Sequence, residues 1–92
     1  MTPKRVKMAL KNGSMRWSRG GRTLPEVWHG KRLTGFQKER LKEAIPVAVT
    51  YLKTGATVFA LAGALKVTHQ RVAQVVKLGT EVLLETGRIR PA

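Results

Sequence analysis

A chain of 92 residues has surface enough for one hydrophobic core and no room for a second. Eighteen Lys and Arg against five acidic residues give a net charge of +13, which points to a polyanionic partner, whether DNA, RNA or an anionic membrane surface. Cysteine is absent and only His29 and His69 remain as soft ligands, which excludes disulfides, thiol catalysis and thiolate metal sites and leaves no expectation of a metal or other cofactor.

Residues 1–33 carry nine of the basic residues and one acid, Glu26, for a local charge of +8. Glycines and prolines interrupt this segment and no helical or strand period is sustained, so it reads as a basic, poorly structured arm with little core of its own. Trp17 and Trp28 are unusual in such a tail. They predict either that Leu24 to Leu33 docks on the domain or turns as a short hairpin around Gly30, or that the indoles stack on bases or on a partner protein. The basic start is not followed by an apolar signal core, and no run approaches the ~18 apolar residues of a membrane span, so a cytoplasmic, nucleoid-associated protein with no membrane partner is expected.

From Thr34 the pattern changes. Leu41, Ile45, Val49 and Leu52 recur at helical spacing, with Thr34 as N-cap and Gly55 as the closing residue. Pro46 lacks the amide that would bond the Lys42 carbonyl, which predicts a kink or two shorter helices. Glu39 and Glu43, beside Lys38 and Lys42, read as surface ion pairs rather than a catalytic pair.

Thr57 to Leu65 then forms a short apolar helix, Lys66 and Val67 a turn, and a long helix starts at Thr68 and reaches Thr86 unless Gly79 breaks it. The spacing of Leu61, Ala62, Leu65, Val67, Val72 and Val75 predicts the shared core of a helix-turn-helix over about residues 57–78, with Ala62 as the small residue at the crossing. Lys66 stands where such a turn often holds glycine at positive φ. Thr68 caps the second helix, and His69, Gln70, Arg71, Ala73, Gln74 and Lys77 form its outward face. Glutamine pairs bidentately with adenine and arginine with guanine, so Thr68, His69, Gln70, Arg71 and Gln74 are the candidate base contacts. Lys66, Lys77 and the arm residues Lys4, Arg5, Lys7, Arg16, Arg19 and Arg22 are the candidate phosphate or minor-groove contacts. Residues 88–92 read as frayed. The fold expected is all-α: a helix-turn-helix domain over residues 34–92 behind the basic arm of residues 1–33.

The stretch FALAGALKVTHQRVAQVVKLGTEV from Phe59 to Val82 resembles the helix-turn-helix of the plasmid KorA/TrfB repressor family, in its Ala-rich first helix, its Leu-x-Val-Thr turn and the VAQVV of Val72 to Val76; LTGFQ at Leu33 to Gln37 resembles the start of that family's domain. The resemblance implies a homodimeric repressor on a palindromic operator, with Gln74, His69, Gln70 and Arg71 facing base edges. Two features depart from the family: the spacing from LTGFQ to the motif is shorter, and no separate dimerisation region follows. A dimer would have to use the end of the last helix, where Leu83 and Leu84 sit beside Val82, but the reading favoured for these leucines is packing inside the chain against Leu41 and Ile45.

These residues predict a sequence-specific regulator of transcription that binds double-stranded DNA, and the resemblance adds repression in a plasmid, phage or other mobile element. Two other readings compete. One is a sequence-neutral RNA or DNA binder working through the arm, with SRGGR at Ser18 to Arg22 as a flexible contact; the other is a factor that docks on RNA polymerase through Trp17, Trp28 and the basic surface. An enzyme is not expected, because there is no Asp and the five Glu are dispersed without any nucleophile-base pairing.

Overall fold

The computed structural model describes residues 2–18, 24–25 and 27–92. Among them are four helices, α1 (Pro3–Asn12), α2 (Gly35–Thr54), α3 (Val58–Leu65) and α4 (His69–Glu85), and four short strands, β1 (Met15–Trp17), β2 (Val27–Trp28), β3 (Lys31–Arg32) and β4 (Ile89–Pro91). The strands pair as two antiparallel ribbons, β1 with β4 and β2 with β3, so the fold is mainly helical rather than all-α.

Each helix begins on a threonine. Thr2, Thr34, Thr57 and Thr68 hold extended backbone and accept from the amide three residues on, which satisfies one of the donors a helix start leaves open. At Thr34 the cap is reciprocal: the Gln37 side chain accepts from the Thr34 amide at 3.1 Å while Thr34 Oγ1 accepts from the Gln37 amide at 3.3 Å. Gly55 ends α2 in the left-handed conformation.

The core lies between α2 and α4, closed by α1, α3 and the β1–β4 ribbon. Leu41, Ile45, Ala48, Tyr51 and Leu52 of α2 meet Val72, Val76, Val82 and Leu83 of α4, with Val6 from α1, Leu61 and Ala62 from α3 and Ile89 from β4. The closest approach is at Gly79, where an added Cβ would stand 2.5 Å from the Ala44 carbonyl oxygen and 2.6 Å from Ala48 Cβ. Gly79 therefore lets two helices touch, and α4 runs through it unbroken. Leu83 is fully buried in this core, so it is spent on intramolecular packing and is closed to a dimer contact.

Several expectations change here. The segment read as an unstructured arm contributes α1, whose Val6 is 0% exposed, together with β1 and the β2–β3 hairpin. Val6, Ala9 and Leu10 give it an inner face despite four cations in ten residues. The hairpin turns at His29 and Gly30, both at positive φ, as a two-residue primed turn requires. Residues 88–92 are not frayed: β4 pairs Arg16 with Arg90 and Trp17 with Ile89, and Ser18 and Ala92 extend the ladder through the carbonyls of Arg88 and Ser14. Pro46 does not divide α2: it sits on the exposed side of the helix, where the carbonyl it leaves without a donor faces solvent rather than the core.

Candidate nucleic-acid interface

The turn between α3 and α4 is fixed by backbone. Lys66 takes the left-handed conformation at φ 58°, and the Val67 amide donates to the Ala62 carbonyl at 3.1 Å. A lysine thus fills the position where glycine would cost nothing. Thr68 Oγ1 accepts from the Arg71 amide at 3.2 Å and starts α4. The crossing uses Leu61, Ala62, Val72 and Val76. Leu65 and Val67, expected in the shared core, are instead 50% and 43% exposed, because the two turns of α3 present Val58, Leu61 and Ala62 inward and the chain reverses just beyond them.

At about 100° per residue, burying Val72, Val76, Gly79, Thr80 and Leu83 places Gln70, Gln74, Lys77, Glu81 and Glu85 on the opposite side of α4. That outward stripe changes character along its length. Its first half is amide and cation; its second half is two carboxylates. Only the N-terminal half can approach a polyanion, and no acid in its first turn offsets the positive end of the helix dipole. The second half lies beside Val27 and Trp28 of the hairpin, which line a shallow groove with Glu81, Leu84 and Glu85.

Arg71 and Gln74 border a narrow cleft between α4 and α2, with Arg40 and Glu43 across it and Ala44, Val75 and Leu78 also lining it. Sequence reasoning missed Arg40 and Glu43 as members of this edge, since nothing local says which turn of α2 faces α4. Arg40 adds a second guanidinium beside Arg71, and Glu43 adds an acceptor of the kind that pairs with the cytosine amino group. Gln70 is exposed, as are Lys66, Thr68, Gln74 and Lys77. The His69 ring rests on Phe59 of α3, with centroids 5.0 Å apart, so this histidine flanks the face rather than leading it. Phe59 is itself 71% exposed.

The predicted phosphate contacts divide into two groups. Lys66 and Lys77 stand with the α4 face. Lys4 and Arg5 are exposed on α1, while Lys7 lies over the Tyr51 ring at 4.5 Å and Arg16 is exposed on β1. Lys7 and Arg16 share a different groove with Lys11 and Lys53. Arg19 and Arg22 lie outside the described residues.

Among the described residues, no group of His, Asp and Glu is placed to hold a metal ion, and no helix is long and apolar enough to cross a membrane. Comparison with protein-family models, curated proteins and solved structures finds no match to this chain.

Proposed function

We propose that this protein is a sequence-specific double-stranded DNA-binding regulator of transcription whose α3–turn–α4 unit works as a helix-turn-helix, the N-terminal half of α4 entering the major groove. The observation that carries the reading is the polarity of α4: an exposed amide and cation face around Gln70, Arg71, Gln74 and Lys77, anchored from behind by Val72 and Val76, gives way to Glu81 and Glu85. A helix lying flat along DNA would press those carboxylates on phosphates, whereas one entering by its N-terminus holds them away.

Arg71 and Gln74 carry base readout in this reading, with Arg40 beside them. Lys66, Lys77, Lys4 and Arg5 contact phosphates. Repression by promoter occlusion, in a mobile element, follows from the likeness to the KorA/TrfB helix-turn-helix. Its homodimer requires a surface other than Leu83.

Selection from random duplex DNA at about 150 mM salt tests the proposal, with the Gln74→Ala protein alongside. The reading expects an enriched motif that loses information at one or two positions in the variant, a cost of about 1–3 kcal/mol per base pair no longer read. Binding without enrichment, fading with salt alike for all sequences, would exclude it and favour the sequence-neutral binder.

A further inference from the structure

At the C-terminal end of α2, away from the Arg40 and Arg71 edge, an open groove of roughly 950 Å³ lies between α1, β1 and the last turn of α2. Its charge is one-sided: Lys7, Lys11, Arg16 and Lys53 line it, with no acid among the described lining residues. It is also apolar, with Leu10, Met15 and Leu52 in its wall and the half-buried Trp17 indole beside them. Lys53 Nζ stands 4.9 Å from the centre of the Trp17 ring. The neighbouring ribbon sets Arg16 opposite Arg90 in register, and the Arg90 guanidinium donates to the Gly87 carbonyl at 3.0 Å.

We infer that this groove binds single-stranded nucleic acid, the four cations holding successive phosphates and Trp17 stacking on a base. Phosphate alone needs the cations and leaves the apolar wall and indole unused. A duplex keeps its bases inside and would use no more. A single strand offers both anion and planar ring at nucleotide spacing, the pairing of groove charge and aromatic platform by which unpaired strands are held. Base stacking displaces the Lys53 ammonium from the indole, and the released charge meets the adjoining phosphate.

The test reads Trp17 directly. In a Trp28→Phe protein it is the sole indole, and added Arg71→Ala and Gln74→Ala changes remove the contribution of α4. Titration with oligothymidylate of about eight nucleotides should quench Trp17 emission saturably, with affinity falling as salt rises. Adding Lys11→Glu and Arg16→Glu should weaken that binding at least tenfold; both positions are exposed, and the cross-strand partner that Arg16→Glu gains in Arg90 offsets the small cost of a carboxylate in the last turn of α1, so a Tm near the parent's accompanies the loss. Three results would each overturn the proposal: no change in Trp17 emission, charge reversals that leave the titration unmoved, or a glutamate-rich peptide that quenches as strongly as the oligonucleotide.

Discussion

Thr68 shows how much of the proposed interface depends on one side chain. Its hydroxyl caps α4 without bringing a charge to the end of the helix that is to meet phosphates. Replacing it by Ala removes the cap and should cost about 1 kcal/mol of stability. Replacing it by Asp keeps the cap, so denaturant unfolding should show stability unchanged or raised, while duplex affinity falls through charge repulsion; a Thr68→Asp protein that binds as tightly as the parent would move the DNA away from this end of α4. Two glycines give opposite outcomes for the same change. Gly63 on α3 has open space around its missing Cβ, so Gly63→Ala should stabilise by about 1 kcal/mol from helix propensity. Gly79→Ala gains the same propensity but drives a methyl into the Ala44 carbonyl and Ala48, for a net loss of about 2 kcal/mol and a fall in Tm of roughly 10 °C. The caps at Thr34 and Thr68 were legible because capping is local. Gly79 was not, because its role is set by residues of α2 more than thirty positions earlier in the chain.

Elements that rest on local periodicity are legible nearly to their ends: α2 and α4 start on the threonines expected to cap them, α3 spans all but the first residue of Thr57 to Leu65, and the hairpin around Gly30 is one of the arrangements its sequence allows. Those that rest on distant partners were missed. A helix with two buried side chains and strands of two or three residues produce no pattern above background; α1, β1 and β4 exist because residues 14–18 and 88–92 meet across the whole chain. Ile89, 2% exposed, is the pivot of that meeting. Ile89→Ala should cost about 2–5 kcal/mol, measured by denaturant unfolding. It should also raise amide exchange in α1 and β1 before α3, since the ribbon and not the turn loses its anchor. At the site, the exposed face of α4 follows from its own period, whereas Arg40 and Lys53 join their clusters only through packing.

For the molecule as a whole, the charge of +13 is unevenly spread. Glu81 and Glu85 lie beside the hairpin, Glu39 pairs with Lys42 at 3.8 Å, and Glu43 shares the cleft of Arg40 and Arg71, so among the described residues the cations gather at the α4 N-terminus, around that one carboxylate, and in the α1–β1 groove, separated along α2. Duplex binding should therefore show a steep salt slope, and removing Lys66 or Lys77 should flatten it by about one unit each without changing the preferred sequence. A preferred sequence that shifts would make those lysines base readers.

The β1–β4 ribbon also sets a timetable for synthesis. At about 5–20 residues per second, roughly 4–14 s separate the making of Trp17 from that of Ile89. Throughout that interval the cationic first helix and its edge strand exist with their partner strand unmade. Ribbon closure sets Ile89 opposite Trp17, so it cannot precede the synthesis of β4, however early the first helix forms.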